Sequence, residues 1–414
     1  MNTTHRAPRK VWDLPDLPPE LWLSIFRIAT WVPSIMDPEA TLEFSLTFSR
    51  ERKRLYRKSL VTKRYLVRVC KQWKAWASPY LYESIYLGRG KSLRPLRDAL
   101  MRSQQDEHVP DEDHPLGWWT KRLDLALRDM SITKTDRRDE IRCISDIVQC
   151  LPNLNIVNFS VTAPPFHRNF QRESFPSSVI HSLADWSGPS LQAITWQGSF
   201  FTPDPQDWHA FLAKAKNLRT LRCPDFLEGT RLPCLTLLSL ESLYPQKEPL
   251  MGDFPSLRHL TAEVSPSTGW QPLLESHGAK LEIVQLSFKY HSTMSPVLTL
   301  LSASCPKLVR LDLSVTSWDL VGCQVEGCEL VLPSTVRVMG LQNTSKQSSP
   351  QGYKSLFWGL EQMTFGSSLD YVQLIDSGNV ADLRQKHSRA LMRGLAMLHA
   401  KGLQLRDHEG LVMR

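Results

Sequence analysis

Nowhere in the 414 residues do 18 consecutive apolar residues occur, so no membrane-crossing helix is expected. The opening MNTTHRAPRKVW lacks the apolar core of a secretory leader, and a soluble chain in the cytoplasm or nucleus is the expectation. Nucleotide and hydrolase signatures are missing as well: there is no GxGxxG, no GxSxG and no HExxH. GRGKS at Gly88 to Ser92 imitates a phosphate loop only in its second half, because Ile85 stands where the first glycine would be needed. No paired carboxylates stand in a recognisable acid–base context, and the 12 histidines are dispersed without metal-ligand spacing. The sequence therefore offers no catalytic residue, cofactor site or metal site. Glycine is scarce, 19 against 28 prolines, which favours short stiff connections over flexible ones. Eight scattered cysteines sit mostly in apolar sequence and read as reduced, buried thiols. Cys323 and Cys328 stand close together, but no second ligand pair accompanies them.

What is present falls into zones. Residues 1–13 are expected to be disordered, and 14–88 are helical in pattern. Pro18 and Pro19 open a helix in which Leu21, Trp22, Ile25, Phe26 and Ile28 recur at three and four, until Pro33 stops it. Arg50 to Arg68 then carries nine Lys or Arg in 19 residues. Leu55, Leu60, Val61, Leu66 and Val69 fall roughly on one side of a helix there, which would leave the cations on a solvated face. A nuclear-localisation patch in RERKR and direct nucleic-acid contact stay open beside that reading, although no recognised nucleic-acid fold surrounds the run. Residues 103–117 are acidic and proline-containing, an expected linker.

Across 118–376 a short strand-like unit returns ten times, as in LNIVNF, LQAITW, LEIVQL and LVRLDL. Its fourth positions are Leu123, Val157, Ile194, Leu221, Leu238, Leu260, Val284, Leu311, Met339 and Val372, spaced 17 to 37 residues apart. Several spacings match the 20–29 residues of a leucine-rich repeat, and an irregular solenoid with a parallel sheet follows as the expectation. An ordinary α/β sheet is the alternative. Alternation within each unit predicts that the residue after each fourth position faces solvent and the next faces the core. Asp124, Arg222, Gln285 and Asp312, with His259, Arg310 and Tyr371 on the same face, are the candidate contacts for a protein target. Residues 377–414 read as a helical cap begun by Asn379 and ended by Gly402.

LPDLPPELWLSIF and VRVCKQWKAWASPYLYESIYL together resemble the F-box, whose pattern is a Leu-Pro-x-Glu-Leu helix, a Val-Cys-(Lys/Arg)-x-Trp helix and a Pro-x-Leu-Tyr tail. With the repeats behind it, the chain resembles the F-box proteins with irregular leucine-rich repeats that abound in mushroom-forming fungi. The resemblance implies a small all-helical F-box domain, and a non-catalytic substrate receptor that docks on a Skp-type adaptor and through it on a cullin. The target protein is unknown, and neither a membrane nor a nucleic acid is the expected partner. It implies adaptor contacts at Leu17, Pro18, Leu21, Ile25, Phe26, Val69, Trp73 and Leu81. About 40 residues separate Phe26 from Val69, so an inserted loop is expected between the two motifs. A repeat scaffold, or a nuclear nucleic-acid-associated protein outside ubiquitination, is the alternative function.

Overall fold

The computed structural model describes residues 17–42, 46–105, 114–127, 134–160, 173–197, 201–223, 228–240, 252–264, 271–288, 294–322, 331–345 and 349–414. Three helices come first. α1 (Pro19–Thr30) starts on its proline, as the fixed φ of that residue favours. α2 (Leu46–Leu66) carries the basic run. α3 (Lys71–Glu83) begins at Cys70, whose Sγ accepts the Trp73 N–H at 3.4 Å. The 40-residue interval expected as a loop is thus mostly the long helix α2, preceded by a 3₁₀ turn at Glu39–Leu42.

α3 runs directly into β1 (Ser84–Leu87), the first of twelve strands in one sheet. The others are β2 (Arg122–Leu125), β3 (Ile156–Ser160), β4 (Ala193–Gln197), β5 (Thr220–Cys223), β6 (Leu237–Leu240), β7 (His259–Val264), β8 (Ile283–Phe288), β9 (Arg310–Val315), β10 (Val338–Asn343), β11 (Tyr371–Leu374) and β12 (Gln404–Arg406). They lie in chain order and every neighbouring pair is parallel. Two-stranded parallel ribbons, Glu173–Ser174 with Phe201–Thr202 and Thr230–Arg231 with Gly252–Asp253, stand apart from this sheet.

The ten fourth-position residues form one unbroken row across the sheet. Register pairs Leu123 with Val157, Val157 with Ile194, and so on to Met339 with Val372. Each is fully buried. The row also continues to Ile85 on β1 and Leu405 on β12. These end strands sit outside the 118–376 array expected from the sequence. The same face carries Phe159, Trp196, Leu286, Leu313 and Leu374, and one continuous core joins it to the helices behind. That layer includes Ile144 of α4 (Lys134–Gln149), Phe211 of α5 (Pro205–Lys214), Leu301 of α6 (Met294–Ser304) and Tyr353 of α7 (Pro350–Gln362). Burying one such side chain is worth about 1.5–3 kcal/mol, and no single unit could bury its own edge.

The domain limits shift accordingly. The sheet begins at Ser84, inside the 14–88 zone, and residues 1–13 lie outside the described residues. Both flanks of the expected linker belong to the fold: the Leu116 N–H donates to Ser103 Oγ at 2.8 Å, and Gly117 abuts the Cys150 carbonyl so closely that a Cβ would fall 1.9 Å from its oxygen. Residues 106–113 between them lie outside the described residues, as do Cys323 and Cys328. At the other end His387 divides the expected single helix into α8 (Ser377–Lys386) and α9 (Ser388–Ala400). The cap of α8 is Asp376, whose carboxylate accepts the Asn379 N–H, so Asn379 is inside the helix. Gly402 does end α9, at φ +74°.

Candidate docking surfaces

α1 divides its apolar residues between two faces. Trp22 and Phe26 pack on Trp73 of α3, with ring centroids 4.9 Å and 4.8 Å apart, and Tyr80 Oη donates to the Leu23 carbonyl at 3.1 Å. Phe26 is fully buried and Trp73 half-buried, which corrects the expectation that Phe26 is presented to a partner: its ring is the core of the three-helix unit. Leu21 and Ile25 do face outward, and Ile28 (78% exposed) and Trp31 (67%) extend their surface. Leu21, Ile25 and Ile28 follow at four and three, one stripe of a helix. Pro18 and Val69 are exposed, while Leu17 and Leu81 are half-buried. Sequence reasoning passed over Ile28 and Trp31 as contacts, although their place on the stripe was readable from the spacing.

The sheet face opposite the core carries the polar row, as alternation predicts, but it is not open to solvent. Asp124, Gln285 and Asp312 are buried, and Arg222, His259, Arg310 and Tyr371 are half-buried. Over the first strands a cover is contributed by this same chain. The Ile35 carbonyl accepts from Arg122 at 2.5 Å, the turn at Glu39–Leu42 lies against β4, and Thr236 Oγ1 donates to the Glu39 carboxylate at 3.0 Å. α2 seats Tyr56, Ser59, Leu60 and Lys63 inward. Ser59 Oγ donates to the Thr30 carbonyl, and Lys63 Nζ to Ser84 Oγ at 3.2 Å. The Arg122 guanidinium lies 5.9 Å from the centre of the Tyr56 ring. Leu55 and Val61, expected on the inner side, are exposed, and Lys63, expected outside, is 4% exposed.

α2 also touches α8, close to the far end of the sheet. A 21-residue helix is about 31 Å long, whereas the ten strand spacings from β1 to β11 amount to about 48 Å. One helix of that length touches both β1 and α8 because α8 lies nearer to β1 than a flat row of strands would place β11.

The polar row ties itself together in two clusters, the first of them beneath α2. Arg122 donates to both Asp124 oxygens at 2.8 and 3.0 Å, and Asn158 Nδ2 donates to the same carboxylate. Toward the other end, Thr261 donates to Gln285 at 3.1 Å, Gln285 to Asp312 at 3.1 Å, and Arg310 to Asp312 at 2.9 Å and to Gln373 at 3.2 Å. Gln373 then donates to the Asp407 carbonyl, and the Asp407 carboxylate accepts from Arg384. Gly340 is required here, since a Cβ would stand 2.0 Å from the Asp312 carboxylate. Among the expected target contacts the fold thus joins Gln285, Arg310 and Asp312, with His259 beside Arg310. Asp124 belongs to the other cluster. Sequence reasoning missed Arg122, Tyr56, Lys63 and Ser84, polar residues with neighbours tens of positions away, whereas Gln373 stood in the predicted polar row.

Burial shapes the ionisation of this face. Desolvation, followed by the charge of Arg310, pulls His259 down to about 4. Desolvation lowers Lys63 and raises Tyr56, where Asp124 adds to the rise. It also pushes the Asp312 carboxyl up, against the pull of Arg310 and Gln285. At Gly90 the Glu140 carboxylate stands where a Cβ would be, so an acid occupies the surroundings of the incomplete GRGKS phosphate motif.

No protein-family model and no curated protein matches the chain. Among the described residues no helix is long and apolar enough to cross a membrane, and no group of three or more His, Cys, Asp or Glu could hold a metal ion.

Proposed function

We propose that the chain is a non-catalytic substrate receptor of a Skp–cullin–F-box type ubiquitin ligase. In this reading α1–α3 are the F-box, and the twelve-stranded sheet with its helices is an irregular leucine-rich-repeat solenoid that holds the target. The observation that carries it is the division of α1: Trp22 and Phe26 close the three-helix core with Trp73, while Leu21, Ile25, Ile28 and Trp31 stay uncovered. An amphipathic helix of this kind lays its apolar stripe into a partner's hydrophobic groove, where a few large side chains carry most of the affinity. LPPELWLSIF and VCKQW supply the adaptor as that partner, with Leu17, Pro18 and Val69 at the margin. The chain-order parallel sheet supports the solenoid half. The target, in turn, meets the outside of the cover, because the polar row is already occupied.

The test is co-purification with a Skp-type adaptor. The wild-type chain is expected to retain the adaptor, and Leu21→Ala with Ile25→Ala to lose it by about tenfold or more, with thermal unfolding unchanged because both side chains are exposed. A wild-type chain that does not bind the adaptor overturns the reading and leaves the repeat scaffold in its place.

A further inference from the structure

Positive charge is concentrated in one part of the molecule. Residues 17–83 hold 12 Lys or Arg against 6 Asp or Glu, so +6 of the chain's net +8 arises there. Most of it lies on α2. Lys53, Arg54, Arg57, Lys58 and Arg64 of α2, and Arg68 just beyond its end, are all exposed, and among the described residues none of them pairs with a carboxylate. Some cations elsewhere are paired, Lys214 with Asp185, Arg258 with Glu282, Arg337 with Asp370 and Lys386 with Asp382, but no other described helix carries so many unpaired cations together. With Tyr56, Ser59, Leu60 and Lys63 seated inward, the stripe furthest from the body is Arg54, Lys58, Val61 and Tyr65, at intervals of four, three and four. Val61 and Tyr65 are exposed among the charges, and Leu55 flanks them.

We propose that this outer face of α2 docks an acidic, partly apolar segment of a partner protein. The inference rests on the receptor reading above and gives its target a chemistry. Charge complementarity selects a polyanion, because five cations on one helix and Arg68 just past its end, none paired with a carboxylate among the described residues, create a field that attracts an external anion. The interleaved side chains select polypeptide over nucleic acid. Val61, Leu55 and Tyr65 offer apolar area to a chain that alternates acids with hydrophobic residues, whereas a phosphate backbone has nothing to place on Val61 or Leu55. The cations also come from a single helix whose other side is seated, so they do not form the two walls of a groove that tracks a strand. The face is the outer side of the helix that covers the polar row at β1 and β2.

The experiment measures binding of the full chain to a fluorescent peptide of repeated Glu-Glu-Leu, to its Gln-Gln-Leu counterpart, and to single-stranded and duplex DNA and RNA of equal charge. Wild type is expected to bind the acidic peptide most tightly, with affinity falling steeply as salt rises. Replacing Arg54, Arg57, Lys58 and Arg64 by Gln should weaken it by about tenfold or more. Val61→Ser with Tyr65→Ser should weaken the peptide while leaving any residual nucleic-acid binding unchanged. Adaptor retention, which depends on α1, reports separately on the receptor reading, and unchanged thermal unfolding shows that each variant is folded. Equal binding of the two peptides, or full affinity in the Gln variant, overturns the proposal. Tighter binding of DNA or RNA than of the acidic peptide assigns the face to nucleic acid and overturns it equally.

Discussion

Phe26 and Ile25 are adjacent in sequence and opposite in consequence. The spacing of the first helix marks both as apolar, yet spacing alone does not say which side of α1 meets Trp73 and which meets solvent. That choice is made by α3, 45 and more residues further on, and so Phe26 reads equally well as core or as contact. His259 shows the same dependence on distant neighbours. The alternation of β7 places it on the polar face, but its depressed pKa comes from burial there and from the charge of Arg310 on β9. The consequence is testable. Its folded pKa of about 4 lies below the unfolded value of 6.5, so the unfolded chain takes up a proton first as pH falls. Stability from this residue is complete above pH 6.5 and is lost as pH falls to about 4, by up to about 3 kcal/mol. Asp312 works in the opposite sense, since a raised carboxyl pKa favours the folded state as acid is added. Urea midpoints for wild type and His259→Gln between pH 7 and 4 separate the two: the wild type should decline more steeply, and parallel profiles would show that His259 does not titrate with folding.

At the level of the element, α2 is where hydrophobic periodicity misleads by a fraction of a turn. Leu55, Leu60, Val61 and Leu66 suggest an inner face, but the surface under the helix is Ser84, Arg122 and Asp124. Lys63 turns inward to donate to Ser84, Ser59 to donate to the Thr30 carbonyl, and Tyr56 to set its ring against Arg122, while Leu55 and Val61 turn out. The strands were legible for the opposite reason. Their partners are copies of themselves, and period-two alternation survives whatever covers the other face. Lys63 also carries a cost that can be measured. Desolvation lowers its folded pKa below the unfolded 10.5, so the folded state releases its proton first and stability rises with pH over the interval between the two. Lys63→Met keeps the stem and removes the buried charge. It is expected to match or exceed wild-type stability at pH 7 by up to about 1 kcal/mol, and to abolish the rise toward pH 10. A loss larger than about 1 kcal/mol in urea titration would show that the ammonium–Ser84 bond outweighs its burial.

For the whole molecule, the ten-unit row in the sequence announces a sheet built by stacking, and the structure extends it by one strand at each end. Ile85 and Leu405 escaped notice because a strand of three or four residues carries only one repeat of the alternation, and the first lay in the F-box-like tail and the second in the stretch read as a helical cap. The closure of the polar face left no trace in the sequence at all. It depends on contacts such as Thr236 with Glu39, 197 positions apart. This closure changes how the array should unfold. In a stack of neighbours each unit leans only on the next, and a long stack loses cooperativity as its ends fray independently. Here α2 holds β1 and β2 on one side and α8 on the other, so the two ends are coupled through a helix outside the stack. Leu60→Asp introduces a carboxylate into that seam, where Leu60 is buried, and should lift α2 without touching the core row. Wild type is then expected to unfold in urea as one transition by circular dichroism and tryptophan fluorescence alike. The variant should show two transitions, the first reported by amide exchange in β1, β2, β11 and β12, together with an increase in radius of gyration before the central strands open. A single transition in Leu60→Asp, at unchanged radius, would mean that the ends of the array are held by their own strands and that α2 only covers them.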